Sequence, residues 1–518
     1  MLTRRDWMTR AALLGGTAVV VSHGKAFGQV TDPHAGHGAA PPAPPPEATM
    51  PGMPGMPGMQ SMPGMDAATD SAPGPRTLVA VRRDLPPPPL LAEVRAARRE
   101  LGYTPVTTPD GVTAKWRRNG VWKEFHLVAH EVVHEFAPGM VVKVWGYNGG
   151  TPGPTIEAVE GDWVRIFVTN HLPEHTTIHW HGIFLPNGMD GVGGLLQPHI
   201  QPGETYVYEF QLRQHGTFMY HPHADEMIQM ALGMMGFFIV HPKRPNFLGE
   251  DRPADRDFCI LPHMWAIHPG EYRPDPMVML DFDLFTFNGR SFPGTSTLVV
   301  RQDDRVRLRL ANLSMTSHPI HLHGHRFWVV ETDGGQVPKT AWIPDTTLNS
   351  VAGQTRAVEF VADAPGDWPL HCHKTHHAMN AMGHDLPNPV GADTKAAGRK
   401  LSRLVKGYMA MGDSGMAEHA EHAKFHPLPE NTLPMMTGEG QFGPLEMGGM
   451  FTVLKVREGL ESYADPGWFD HPKGTVAWKS GELPQGLADE WLAGPAPEAP
   501  SGGHDGHASS DPDPGGAE

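Results

Sequence analysis

Trp163-Val164-Arg165-Ile166-Phe167-Val168 puts Val164, Ile166 and Val168 on one face of an extended chain, with Arg165 on the other. That two-residue period marks a half-buried strand. Upstream, Trp122–Ala129 alternates in the same way and Val141–Trp145 does so loosely. Downstream, Tyr206–Phe210 and Gly236–His241 continue the series. A Pro-rich stretch, Pro242 to Pro253, separates it from a second series: Thr297–Val300, Arg305–Leu310, Phe327–Val330, Ala357–Val361 and Phe451–Val456. Short strands at this spacing predict an all-β chain of two sandwiches, over about 113–243 and 254–458. A polar, Met- and His-containing insertion, 383–446, precedes the last strand.

Composition agrees. The 518 residues include 60 Gly and 53 Pro, a load of turn formers that argues against a helical protein. Residues 29–112 are rich in Pro, Ala and Met, with Met-Pro-Gly repeats from Met50 to Met59. This segment is expected to be disordered, apart from a short helix between Leu90 and Leu101. The acidic stretch 459–518 is expected to be a second disordered tail. Residues 1–28 resemble a twin-arginine export signal: Arg4-Arg5 precedes an apolar run from Ala11 to Val21. That run is too short to cross a bilayer, so export, most simply to a periplasm, is expected without a membrane span. The net charge of −16 argues against nucleic acid or an anionic membrane as partner and favours a small molecule or a cation.

There are only two cysteines. Cys259 lies in a strand-like run and reads as a small buried apolar residue. Cys372 lies between His371 and His373. Five His-x-His pairs stand out among 32 histidines: 179/181, 221/223, 321/323, 323/325 and 371/373. On a strand, residues two apart face the same way. Each pair can therefore aim at one metal cluster. In His371-Cys372-His373 the imidazoles face one side and the sulfur the other, so one tripeptide touches two centres. Imidazoles with one thiolate and a weak thioether form the ligand set of a blue copper site. Cys372, His318, His377 and Met382 supply such a set here.

Four segments together resemble the copper signature of the multicopper oxidases. They are His179-Trp180-His181-Gly182, His221-Pro222-His223, the run His318 to His325, and His371-Cys372-His373 with His377 and Met382. The resemblance spans about 120 to 460. It implies two cupredoxin-like Greek-key β-sandwich domains and four copper ions. Type 2 copper would take His179 and His321. The type 3 pair would take His181, His221, His223, His323, His371 and His373. Type 1 would take His318, Cys372, His377 and Met382. Met447, four residues before the last strand in Met447-Gly448-Gly449-Met450-Phe451, is the alternative axial ligand. His325, His376 and His384 are expected to be structural or solvated. Asp190 corresponds to a family acid that delivers protons to the oxygen-reducing cluster; a turn residue is the equal alternative.

Only 139 positions separate His179 from His318, and His221-Pro222-His223 lacks a cysteine. The pattern is similar to the two-domain laccase type with type 1 copper in the second domain. In such relatives the first domain of one chain meets the second domain of the next, closing a homotrimer. The expected activity is one-electron oxidation of cuprous ion, or of phenols and aromatic amines, coupled to reduction of dioxygen to water. The alternative is a copper-binding resistance protein without turnover. The Met repeat at 50–65 and the tail residues His34, His37, His504 and His507 offer Cu(I) donors or a plain linker.

Overall fold

The computed structural model describes residues 85–244, 248–250, 252–268, 270–280, 282–380, 431–433, 438–472 and 474–478. The expected signal, the Met repeat, Met382, His384, most of the insertion and the four tail histidines lie outside these residues.

The opening stretch becomes the strand Trp163–Asn170. Val164, Ile166 and Val168 are fully buried, whereas Trp163, Arg165, Phe167 and Thr169 face outward or stand half-buried. A fully buried Ile or Val contributes about 1.5–3 kcal/mol. The strand runs parallel to Trp122–Ala137 and antiparallel to Thr205–Gln211, with Ile166 opposite Tyr208. Trp116–Asn119 and Met140–Tyr147 complete a five-stranded sheet. A four-stranded sheet orders Ile156–Val159, Gly236–His241, Gly216–His221 and His179–His181. Trp180, Phe218 and Phe238 fill the core between the two sheets.

The second sandwich repeats this plan. One sheet carries Arg256–Ile260, Arg305–Ala311, Thr355–Val361 and Phe327–Thr332 at its centre. The other orders Leu298–Arg301, Phe451–Arg457, Gly366–Cys372, His318–Leu322 and Thr347–Ser350. The all-β expectation is met. Against it stands one helix of eleven residues, Leu91–Leu101, with short helical turns elsewhere among the described residues.

Gly216–His221 and Gly236–His241 are buried at every position. Their outer face packs Met219, Phe237 and Ile239 against Cys259, Leu261, Ala311 and Leu313 of the second sandwich. Cys259 is thus the buried apolar residue expected, and both cysteines are free thiols. Arg309, only 1% exposed, crosses the same boundary. It forks onto Asp257 at 2.8 and 2.9 Å and donates to Thr217 at 2.8 Å.

The two low-complexity tails are ordered where they rejoin the sandwiches, which corrects the expectation of disorder through 112 and from 459. Glu93 accepts from the Leu90 amide at 2.8 Å to start the helix, and Gly102, at φ 77°, ends it. Arg98 then pairs with Asp255, and Thr107 bridges to Phe258. At the other end Tyr463 is buried beneath the Arg256 guanidinium, 3.8 Å from its ring centre, and Lys455 pairs with Asp465 at 2.6 Å. A few anchoring side chains outweigh an unpromising average composition.

Candidate metal centres

Three groups of donors emerge, each built by strand pairing. In the first sandwich His179 lies opposite His221 in the register, so four imidazoles collect at one edge of the four-stranded sheet. Ring centres of His179 lie 5.5 Å from His181, 5.3 Å from His221 and 5.7 Å from His223. In the second sandwich His321 lies opposite His371. There the His321 ring stands 4.7 Å from His323, 5.7 Å from His371 and 5.6 Å from His373.

Neighbouring carbonyls set the tautomers. A ring nitrogen that faces a carbonyl oxygen must carry the proton, leaving the other nitrogen with its lone pair. His179 Nδ1 donates to the Asp190 carbonyl at 2.7 Å, and His221 Nδ1 to the Pro222 carbonyl at 2.9 Å. His321 Nδ1 donates to the Thr346 carbonyl at 2.7 Å, and His371 Nδ1 to the Cys372 carbonyl at 2.9 Å. The freed nitrogens converge. His181 Nδ1 is 3.2 Å from His221 Nε2, and His323 Nε2 is 3.1 Å from His371 Nε2. Burial pushes the basicity of His181, His323 and His371 down, and that of His221 down to about 3. Neutral imidazoles with facing lone pairs are suited to holding cations.

The third group is buried. His318 pairs with Ser350, Cys372 with Ile320, and His377 sits on a short turn beyond Cys372. Cys372 Sγ lies 3.7 Å from His318 Nδ1 and 3.6 Å from His377 Nδ1, and the two nitrogens are 3.1 Å apart. Two nitrogens at about 2.0 Å and a sulfur at about 2.3 Å from a shared metal subtend such separations. The Ser314 hydroxyl hydrogen points to Asn312 Oδ1 at 2.7 Å, so its oxygen accepts from His318 Nε2 at 2.6 Å and leaves Nδ1 free. Phe285 stacks on the His377 ring at 4.4 Å. Burial lowers His318 to about 3 and His377 to about 2, and raises the Cys372 thiol to about 11. Two uncharged nitrogens and a sulfur fit copper.

Cys372 points into the core, while His371 is half-buried and His373 exposed on the other side. The tripeptide therefore connects the buried group to the second imidazole set. Among the described residues, no ring contact joins that set to the four imidazoles of the first sandwich. His223, with 38% of its side chain exposed, and His373 both open to the surface.

Asp190 serves His179 through its carbonyl, with its carboxylate 3.6 Å from His179 Nδ1. Gly191 permits that approach: at φ +93°, a Cβ there would fall 1.8 Å from the Ile178 carbonyl oxygen. His325 is buried against Phe360 and Trp368, with its Nδ1 3.2 Å from the His323 carbonyl oxygen. His376 lies edge-on to His377 and Phe285. Met447 is half-buried. The following turn is tied to the His377 loop, with Gly448 N donating to Ala378 O at 3.0 Å and Met450 N to His377 O at 2.8 Å. Sequence reading missed Ser314, Phe285 and Glu226, whose carboxylate stands 3.5 Å from His221 Nδ1. Only Glu226, five residues past His221, was within reach of a local motif.

Comparison with known proteins points the same way. Two sequence models, both described as multicopper oxidase, match residues 129–245 and 267–391. Copper resistance protein A of Escherichia coli is 31% identical over 243 residues, covering 37% of this chain and 38% of that protein. Laccase-2 of Cryptococcus neoformans is 35% identical over 224 residues, covering 38% of this chain and 37% of that protein. The chain thus spans under two-fifths of either relative. The blue copper oxidase of Nitrosomonas europaea superposes with a TM-score of 0.48 at 26% identity, over 64% of this chain and 85% of that one.

Proposed function

Since this chain belongs to the multicopper oxidase family and takes copper as its cofactor, we propose that it oxidises a reducing substrate one electron at a time and passes four electrons to dioxygen. His318, Cys372 and His377, with Met382 as a further donor, would hold one type 1 copper, which would supply electron acceptance. Three coppers held by the eight histidines of the two imidazole sets would supply the binding and reduction of dioxygen.

The chain's own residues give this proposal its form. Phe285 stacks on His377 and Ser314 hydrogen-bonds His318, which limits rearrangement when the centre gains or loses charge. Cys372 and its flanking histidines make a covalent path between the two centres. Asp190, beside His179, holds the ring tautomer through its carbonyl and is positioned to hand over protons through its carboxylate. Four protons and four electrons convert one dioxygen to two waters. The second half of the oxygen site would come from a neighbouring copy, in a homotrimer. The separation of the two imidazole sets within one chain supports that arrangement. Cuprous ion or phenols would be the reductant, in an exported, periplasmic setting. No described helix is long and apolar enough to cross a membrane.

The contact of Cys372 Sγ with two imidazole nitrogens, in a tripeptide whose other side chains face the oxygen site, carries this reading. The test is oxygen uptake by the copper-loaded protein with a phenol and with Cu(I). Cys372→Ser is expected to abolish uptake with both. Sustained uptake by that variant, or none by the wild type with any reductant, rejects the proposal.

A further inference from the structure

Arg256 opens the strand Arg256–Ile260 and is 4% exposed. Side chains alternate along an extended chain, so the acids on either side of it turn to the opposite face. There Asp255 is held by Arg305 at 2.7 Å and Asp257 by Arg309 at 2.8 Å. Arg256 itself lies between two rings, its guanidinium 3.8 Å from the centre of Tyr463 and 4.7 Å from that of Phe258. Asp304 attracts it but makes no ion pair with it; that carboxylate takes the Arg301 amide at 2.8 Å and the Tyr463 hydroxyl at 3.3 Å. Among the described residues Arg256 has no ion pair, and its Nε has no hydrogen-bond partner. Burial lowers its basicity to about 10, so it keeps its charge at neutral pH. The two ring faces offset part of the cost of burying that charge. They leave its N–H fork without an anion, although buried charges are normally paired.

The same three side chains, Arg256, Phe258 and Tyr463, line a cavity of about 400 Å³. That is within the size of small-molecule sites, about 300–1,000 Å³. Most of the remaining wall is apolar: the N-terminal arm supplies Pro86 to Pro89, Val94 and Ala97. Pro86, Pro87 and Pro88 are exposed, so the cavity is open to solvent on that side. The two acids in the wall are engaged. Glu93 accepts from the Leu90 amide at 2.8 Å, and Asp110 accepts from the amide and hydroxyl of Ser296 at 2.8 and 2.7 Å. A lone guanidinium in an apolar cavity selects one chemistry: a carboxylate, which matches the fork with two parallel hydrogen bonds, on a body that prefers apolar surroundings. We propose that Arg256, its two flanking rings and the arm that covers them form a binding site for a small organic monocarboxylate with an apolar body. The carboxylate takes the Arg256 fork, and the body lies against the prolines and Val94. The wall combines the N-terminal arm, the second sandwich and Tyr463 beyond the last strand, so the bound anion clamps both arms to the sandwich.

The experiment uses the full-length, copper-loaded protein in calorimetric titration and thermal unfolding, so oxygen uptake plays no part in it. Benzoate is the probe, with benzamide as its uncharged counterpart and phosphate as an anion without an apolar body. Benzoate is expected to bind and to raise the melting midpoint as its concentration rises. Benzamide and phosphate should bind at least about tenfold more weakly. Arg256→Met should weaken benzoate at least about tenfold. Without ligand, that variant should melt no lower than the wild type, because it removes a buried charge that has no partner. Ala97→Phe, which fills the cavity from the helix side, should also weaken benzoate and serves if Arg256→Met does not fold. Absence of saturable benzoate binding by the wild type overturns the proposal, and a lower midpoint for Arg256→Met would then show that the guanidinium serves the two rings alone. Equal binding of benzamide or phosphate overturns it too, as does unchanged benzoate affinity in a folded variant.

Discussion

Mixing two inactive variants should restore activity if the oxygen site is shared between chains. His179→Ala damages the imidazole set of the first sandwich, and His371→Ala damages that of the second. These sets make no ring contact with each other within a chain, although inside each set the rings stand within about 6 Å. In a closed ring, each oxygen site takes its first half from one chain and its second half from the next. With random exchange of equal amounts, the first half is intact with probability one-half, and so is the second. About one site in four is then whole, so a mixture should recover about a quarter of wild-type oxygen uptake per chain. Neither variant alters Cys372, His318 or His377, so the blue absorption reports that both chains are folded and loaded. The assay is uptake with a phenol after the variants are dissociated, mixed and reassembled, beside unmixed controls. Recovery near a quarter supports the shared site. Zero recovery with intact blue absorption and demonstrated subunit exchange would refute it, because a site built within one chain gains nothing from mixing.

Three further outcomes follow from the geometry. The Cys372 thiol, raised to about 11 by burial, is protonated at pH 7.5, whereas His318 and His377, near 3 and 2, carry no proton to lose. Copper loading should therefore release about one more proton from the wild type than from Cys372→Ser, and affinity should rise about tenfold per pH unit between roughly pH 5 and 9; calorimetry in buffers of different ionisation enthalpy checks this, and equal release by both proteins contradicts it. Met382→Leu should shift the potential of the blue centre and Met447→Leu should leave it in place; potentiometry giving the reverse would make Met447 the axial ligand. Arg309→Met removes both close hydrogen bonds of buried Asp257, leaving it only Arg307 at 3.7 Å, and should cost about 3–5 kcal/mol in urea unfolding, with most of that recovered in Arg309→Met/Asp257→Leu; a neutral single substitution would show that the pair does not stabilise the second sandwich.

What could be read from the sequence was what repeats over two residues. Val164, Ile166 and Val168 declare their face because each neighbour is polar or outward, and the His-x-His pairs declare a common direction by the same rule. Gly236–His241 also reads as a strand, yet its unbroken apolar run does not say what covers the outer face. The answer, Cys259 and Leu261, lies in the other sandwich. Ser314 and Phe285 were invisible for a related reason. Their value to His318 and His377 comes from strand register and loop placement across tens of residues, and nothing in a Ser or a Phe advertises a metal neighbour. His263 is the extreme case: beside Trp265 in an apolar run, it looks like a core histidine until its two buried ring nitrogens prove to have no hydrogen-bond partner. The eight histidines of the two imidazole sets show the same limit at the next scale. A motif fixes which way an imidazole points from its own strand, and that direction is identical whether the opposing set belongs to the same chain or to another copy. Only the placement of the two sandwiches distinguishes these cases, and among the described residues it leaves no ring contact between the two sets.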